Sequence, residues 1–314
     1  MRKLVVPILL ASVLIYTGCE NSDDNNSVFS GTEISTQDLN TDPQFFNFEN
    51  VEFVETYDIK FYQPGMSYMV GLNASAGVLF AQSIDTDFVT AEMPIDSYTG
   101  EEIGESWMDI STYNPSDHSI QGNGSIYFVR SASAEWVKLE VIQASPTFFE
   151  IKFAVQNLDG TYQPTEILSV SYSSSEAVYF DFSTSSAIVP GNWDVAFTVV
   201  PEYAPGMGFM YMPSIILNIE NDTQVSISND QFDEISSVPN DATWLNDTLD
   251  NRILGYNGDN AILVYHPEPP YNHKVIIENP ELAYFINCIS GSYKLDFEEY
   301  SSGILIFVFD ELLD

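Results

Sequence analysis

The sequence predicts an all-β protein built from two tandem, related antiparallel β domains. Runs rich in Val, Ile, Tyr, Phe and Thr are bounded by Gly, Pro, Asn and Ser, and no long stretch has a helical period of apolar residues. A series of short blocks also occurs twice, in the same order. The first two observations indicate strands throughout, and the third indicates a duplicated unit.

The first element along the chain is an export signal. Two basic residues precede an apolar run over residues 4–15, which is too short to span a bilayer. The junction of Gly18 and Cys19 resembles the lipobox of bacterial lipoproteins, in which the cysteine is lipidated and becomes the first mature residue. The resemblance implies a signal peptide over residues 1–18 and lipidation of Cys19. The alternative is a plain secretory signal with an incidental cysteine.

The second element, residues 19–30, is expected to be a flexible acidic tether because it is polar and rich in turn-forming residues. Its Ser22-Asp23-Asp24 resembles the acidic tag that some Gram-negative bacteria use to send lipoproteins to the cell surface. We therefore expect a surface-exposed protein that meets the outer membrane only through its lipid anchor. Since lipidation of Cys19 leaves only Cys288, no disulfide is expected, and Cys288 is predicted to be buried.

The two β domains are indicated by eight pairs of blocks. Chance does not account for eight pairs in the same order, so we predict two domains, residues 31–162 and 163–314. The join falls in the turn-rich NLDGTYQP, and a polar segment between residues 218 and 260 makes the second copy longer. The pairs are TEI (32–34, 165–167), FFNF and YFDF (45–48, 179–182), YDIKF and WDVAF (57–61, 193–197), PGMSYM and PGMGFM (64–69, 205–210), DHSI and NHKV (117–120, 272–275), YFVR and YFIN (127–130, 284–287), VKLE and YKLD (137–140, 293–296), and IKFAV and LIFVF (151–155, 305–309).

The composition excludes some functions. The chain has 9 Lys and Arg against 46 Asp and Glu, a formal net charge of −37, and no basic cluster, so nucleic-acid binding is not expected. Three histidines and the lack of GxSxG, HExxH or a glycine phosphate loop give no support for catalysis. Acidic turns such as IENDTQ and YNGDN suit calcium, but none fits an EF-hand loop, and such turns are usually only solvated.

Several blocks in order carry a resemblance to a known family. YFDF, WDVAF, PGMGFMYMPS and YFINCISGSYKLDFEEY of the second copy, echoed more weakly in the first, resemble the HmuY family of haem-binding outer-membrane lipoproteins. The resemblance implies an all-β lipid-anchored fold that binds one haem between two protein ligands on loops, either a pair of His or a pair of Met. It also implies hand-over to a TonB-dependent outer-membrane transporter.

The candidate haem ligands lie in the second domain. His266 matches the family's later histidine best, although the register there is loose, and His273, Met207 and Met210 are further candidates. Each has a structural alternative. The methionines of the PGM motif suit a scaffold turn and strand, and Met207 and Met210, three apart on a strand, would face opposite sides. His273, like His118 in the first copy, suits a turn-fixing hydrogen bond.

Two functions follow from these patterns. The first is capture of haem or a related porphyrin at the cell surface, without catalysis. The second is a two-domain interaction module that binds a protein or glycan through aromatic residues of its loops, namely Trp107, Trp244, Tyr256, Tyr265 and Tyr271. The family resemblance favours the first function, and the lack of a clear second ligand favours the second.

Overall fold

The chain is all-β, as predicted. A computed structural model describes residues 31–172, 176–204 and 208–312. Over these ranges every strand pairing is antiparallel, and the helical segments are three single 3₁₀ turns, none with the length or apolarity needed to cross a membrane. The 3₁₀ turns are Ala74–Ala76, Ile219–Asn221 and Phe232–Glu234. The expected signal peptide and tether, with Cys19, lie outside the described residues.

The described residues form 23 strands. In chain order they are β1 (Thr32–Ser35), β2 (Gln44–Asn47), β3 (Glu52–Val54), β4 (Ile59–Tyr62), β5 (Met69–Leu72), β6 (Leu79–Gln82), β7 (Met108–Asn114), β8 (Ser119–Gly122), β9 (Ile126–Arg130), β10 (Trp136–Ser145), β11 (Phe148–Val155), β12 (Glu166–Ser171), β13 (Val178–Asp181), β14 (Ser186–Ile188), β15 (Val195–Ala204), β16 (Gly208–Leu217), β17 (Gln224–Ser228), β18 (Leu245–Asn246), β19 (Leu263–His266), β20 (Lys274–Ile277), β21 (Ala283–Cys288), β22 (Gly291–Ser301) and β23 (Ile304–Leu312).

Alternation of apolar and polar residues explains why these segments are strands with one buried face. In β11, Phe149, Ile151 and Phe153 are buried, while the intervening Glu150 and Lys152 are half-buried. Side chains two apart on a strand point to the same side of a sheet, so this spacing places all three apolar side chains in one core. The same spacing recurs in β4. Packing of these buried apolar strand faces against one another stabilises the fold.

The strands form two lobes that exchange segments. The first lobe contains β4–β14, in one sheet ordered β14-β13-β4-β5 and another in which β12-β11-β10-β8-β7 is extended through β9 and β6. The second lobe contains β1–β3 and β15–β23, in sheets ordered β1-β23-β22-β21-β17-β18, β16-β15-β2-β3 and β19-β20. The N-terminal strands of each predicted domain therefore belong to the sheets of the other.

This pairing does not follow the predicted division at residue 162. Strand β12 lies after that point but pairs with β11, from Phe148↔Ser171 to Phe153↔Glu166. Strand β1 pairs with β23 near the opposite end of the chain, with Thr32 facing Phe309. The first lobe is consequently contiguous, whereas the second is made of two separate stretches. We call residues 31–54 and 166–188 the exchanged segments.

Two buried aspartates fasten the exchanged segments at equivalent positions of the two repeats. The carboxylate of Asp58 accepts the backbone N–H of Phe182 at 2.7 Å and that of Ala132 at 2.6 Å. The carboxylate of Asp194 accepts the backbone N–H of Phe48 at 2.9 Å. Burial raises the pKa of Asp58 to about 7 and also raises that of Asp194, although the backbone hydrogen bonds act in the opposite direction.

Two apolar cores meet at the sheet that contains β15. Val195 and Phe197 on one face of β15 belong to the core of the second lobe, and Ala196 on the other face packs with the core of the first. The long hairpin of β15 and β16 also contacts the first lobe, where Nε1 of Trp136 donates to the Tyr211 hydroxyl at 2.9 Å. The lobes therefore share contacts along this hairpin.

Two buried lysines hold loops at equivalent positions of the repeats. Lys138 and Lys294 lie on β10 and β22, and each is almost completely buried. Each ammonium group donates to carbonyl oxygens of a loop, those of Phe88, Val89 and Ala91 for Lys138, and those of Phe232 and Ile235 for Lys294. Both ammonium groups therefore stabilise loops inside the fold and are not exposed to solvent.

Candidate functional site

An open cleft in the second lobe brings together two of the four predicted haem ligands, Met210 and His273. Its volume is about 680 Å³, within the usual range of small-molecule and cofactor sites. Its walls come from β16, the β19–β20 hairpin, the turn between β22 and β23, and the loop after β1. The lining residues are Asn40, Met210, Tyr211, Met212, Pro213, Tyr265, His273, Lys274, Val275, Ile276, Tyr300, Ser301 and Ser302.

The β19–β20 hairpin fixes the position of His273. The backbone N–H of His273 donates to the carbonyl of His266 at 2.9 Å, and the residue has a left-handed backbone with φ of 64°. Its Nδ1 lies 2.6 Å from the hydroxyl oxygen of Tyr265. Among the described residues, Nε2 has no hydrogen-bond partner. When Nδ1–H donates to Tyr265, the lone pair of Nε2 is free to bind a metal.

Strand β16 contributes two methionines to the cleft lining. Met210 is half-buried and Met212 is buried, and both line the cleft. Because they are two apart on one strand, their side chains point to the same side. Sequence reasoning singled out Met210 and missed Met212, although the period-two spacing in PGMGFMYM was the signal that would have found it.

The length of the β15–β16 hairpin creates this wall. After Asp58, β4 and β5 have four residues each, whereas after Asp194, β15 and β16 have ten each. The additional residues carry Met210 and Met212 beyond the part that both repeats share. The first repeat keeps the histidine pair, since the Tyr113 hydroxyl lies 2.6 Å from Nδ1 of His118, but its shorter hairpin cannot supply the same wall.

The other predicted ligands are placed differently. His266 ends β19 rather than lying on a loop, its Nε2 makes a hydrogen bond with Glu278 at 2.5 Å, and its ring packs against Tyr271. It does not line the cleft. Met207 lies outside the described residues. Of the aromatic residues proposed for an interaction surface, Trp107 is 1 % exposed and belongs to the core of the first lobe. Its indole N–H donates to the carbonyl of Tyr68 inside that lobe.

The remaining lining residues divide the cleft by polarity. Val275, Ile276 and Pro213 are apolar, while Asn40, Ser301 and Ser302 bring an amide and two hydroxyl groups to one rim. Tyr265 and Tyr300 offer aromatic rings with polar ends. Such a surface suits a flat, largely apolar ligand with polar groups at its edge.

No family model, curated protein or solved structure matches this chain. The assignment of a function therefore depends on the chemistry of the cleft. One imidazole and one thioether are ligands suited to an iron atom that already has equatorial ligands from a macrocycle. Among the described residues, no group of three or more His, Cys, Asp and Glu side chains is placed to hold a metal ion.

Proposed function

We propose that this protein binds haem or a related porphyrin in the cleft, for acquisition and not for catalysis. The observation that carries the proposal is the placement of His273 and Met210 along one cleft of about 680 Å³, with Nε2 of His273 unpartnered among the described residues. These two side chains would hold the iron through an imidazole nitrogen and a thioether sulfur. Haem iron accepts His and Met together, as in cytochromes c.

The other lining residues support a planar ligand. Met212, Val275 and Ile276 offer apolar contacts to the faces of a porphyrin, and the rings of Tyr265 and Tyr300 can pack against it. The Nδ1 hydrogen bond to Tyr265 would hold the imidazole of His273 in the orientation and tautomer that ligation requires. The proposal therefore gives Tyr265 a positioning role.

The position of the cleft suits a protein tethered by its N-terminus. Strand β1 starts beside Phe309, whereas Ser301 and Ser302 lie at the far end of β23, roughly 17 Å away at about 3.4 Å per residue. With an anchor at Cys19, the N-terminal attachment would leave the cleft unobstructed. In this proposal the protein is an outer-membrane lipoprotein at the cell surface that passes its ligand to a TonB-dependent transporter.

The test is a titration of the chain from residue 20 onwards with hemin, oxidised and reduced, monitored by the Soret band. We expect a saturable shift of the band, which His273→Ala and Met210→Ala each weaken. His118→Ala is a matched control, because it removes the equivalent histidine of the first repeat. The absence of a saturable change in both redox states contradicts the proposal. If His266→Ala weakens hemin binding and His273→Ala does not, His266 is the iron ligand instead of His273.

A second candidate function, binding of a protein partner without haem, is favoured by one observation. Ile84, Val89 and Ile95 of the first lobe are 98 %, 80 % and 57 % exposed, and Ile84 and Ile95 line the same open cavity. Exposed apolar side chains close together mark interaction surfaces. If hemin fails to bind, the substitutions Ile84→Ser and Ile95→Ser should abolish capture of the partner from an outer-membrane extract.

A further inference from the structure

The cations of the described chain are almost all engaged within the fold. Residues 31–312 contain seven Lys and Arg residues. Six of them have protein partners: Lys60 with Glu220, Lys152 with Glu140, Arg252 with Asp247, and the buried Arg130, Lys138 and Lys294 with backbone carbonyl oxygens. The seventh is Lys274, which is exposed and has no hydrogen bond or ion pair from the described residues.

Lys274 lines the cleft that contains His273 and Met210. It is the first residue of β20 and lies opposite His266 in the hairpin register. Strand β20 also supplies the apolar residues Val275 and Ile276 to the lining, so Lys274 directly precedes an apolar part of the wall. The free cation of the described chain is thus located at the proposed site.

The lining of this cleft also contains no carboxylate. Asp and Glu make up 46 of 314 residues, so a lining of thirteen residues would carry about two by composition alone. Three other cavities formed by described residues each include at least one acidic side chain: Asp85 in one, Asp259 and Glu278 in another, and Asp85, Glu92 and Asp96 in the third. The cleft is therefore a local exception in a strongly acidic protein.

A net charge of −37 disfavours the approach of anions to most of the surface. At the cleft one unpaired ammonium group faces solvent and no lining residue carries a carboxylate; Asp38 lies behind the rim, where it accepts a hydrogen bond from the side-chain nitrogen of Asn40 at 2.8 Å. Ser301 and Ser302 add hydroxyl groups that can donate hydrogen bonds to an anionic oxygen.

We infer that the cleft selects aromatic or macrocyclic ligands that carry an anionic group, and that Lys274 binds this group at the rim. For a porphyrin this assigns the acidic side chains of the ligand to Lys274, an assignment that rests on the proposed function. The selectivity for anions itself does not require haem. Lys274 is then a specificity-determining residue, and neutral ligands of the same shape bind without its help.

The test compares two fluorescent probes of similar shape on the full chain. 8-Anilinonaphthalene-1-sulfonate is anionic, and N-phenyl-1-naphthylamine is its neutral counterpart. We expect Lys274→Gln to weaken saturable binding of the anionic probe about two- to fivefold, with no change for the neutral probe. Lys60→Gln, which removes one surface charge already paired with Glu220, should change neither. Raising the salt concentration should reduce the difference between the natural and Lys274→Gln proteins in their affinity for the anionic probe, because salt screens the Lys274 charge.

Equal affinity of the natural and Lys274→Gln proteins for the anionic probe overturns the inference, and so does the lack of any saturable binding of that probe. A parallel titration with hemin separates this inference from the proposed function. If hemin produces no Soret shift but the anionic probe depends on Lys274, the porphyrin is refuted and the anion selectivity stands. If hemin binds and Lys274→Gln changes the affinity for neither hemin nor the anionic probe, the anion selectivity is refuted and the porphyrin proposal stands.

Discussion

Replacement of Asp58 by asparagine should remove a defined part of the pH dependence of stability. Asp58 is 1 % exposed and accepts two backbone N–H groups, one of them from an exchanged segment. Burial raises its pKa from 3.8 to about 7. Between these values the folded chain retains a proton that the unfolded chain has released, so the free energy of unfolding falls as pH rises through this window. The full contribution of Asp58 to stability is present only below the window.

The magnitude follows from the width of the window. Each pKa unit corresponds to about 1.36 kcal/mol, so the two units between pH 5 and 7 correspond to about 3 kcal/mol of stability lost on going from pH 5 to pH 8. The amide introduced by Asp58→Asn cannot ionise, and its NH₂ group faces one of the two backbone donors, which costs about 1–3 kcal/mol. The Asp58→Asn protein should therefore be less stable than the natural protein at pH 5 and should approach or exceed its stability at pH 8.

The assay is urea unfolding of both proteins at pH 5, 6, 7 and 8, followed by tryptophan fluorescence and far-ultraviolet circular dichroism. Other buried carboxylates, such as Asp194, are present in both proteins, so the difference in the free energy of unfolding isolates Asp58. Asp159→Asn is the control, because this exposed carboxylate should not change the slope over this range. A difference between the natural and Asp58→Asn proteins that stays constant from pH 5 to 8 refutes the reasoning.

Three further predictions concern groups inside the fold. Lys138→Met removes the ammonium group that holds the carbonyls of Phe88 and Ala91, so amide hydrogen exchange in that loop should accelerate at least tenfold, whereas Lys60→Met, which breaks a partly exposed ion pair with Glu220, should leave it unchanged. Trp136→Phe deletes the hydrogen bond to Tyr211 between the lobes and should lower the free energy of unfolding by about 1 kcal/mol; an equal loss in a Tyr211→Phe background would show that the bond contributes nothing. Burial raises the pKa of the Cys288 thiol to about 11, so a disulfide reagent at pH 8 should label Cys288 only after unfolding in urea, and rapid labelling of the folded protein contradicts this.

Periodicity was sufficient to predict the class of fold. Alternating apolar residues indicated strands in segments such as FFEIKFAV, which is β11, and the buried position predicted for Cys288 is confirmed. The exchange of segments could not be predicted in the same way. The TEI blocks of the two repeats are nearly identical, so the sequences of β1 and β12 do not distinguish between β11 and β23 as pairing partners. Only the three-dimensional path of the chain decides which partner is used.

The candidate site was predicted in part, for a similar reason. Residue type pointed to His273 and Met210, but it favoured His266 over His273, because nothing in the sequence shows that Glu278 occupies the His266 ring nitrogen. The role of Lys274 depends on a comparison that needs coordinates, since a lysine without a partner looks the same in sequence as a buried one. Met212 was within reach of sequence reasoning through its spacing from Met210.

The exchange of segments determines the order in which the protein can be completed. Residues 57–188 contain every strand of the first lobe, so the sheets of this lobe can form as soon as that stretch has been synthesised. Strand β1 emerges earlier than all of them, yet its partner β23 is the last to appear. Pairing over almost the whole length of the chain is entropically expensive and slow. The first strand to be made must therefore stay unpaired until synthesis of the chain is nearly complete, and a chain truncated before β23 would leave β1 without a partner, although β2 could still pair with β15.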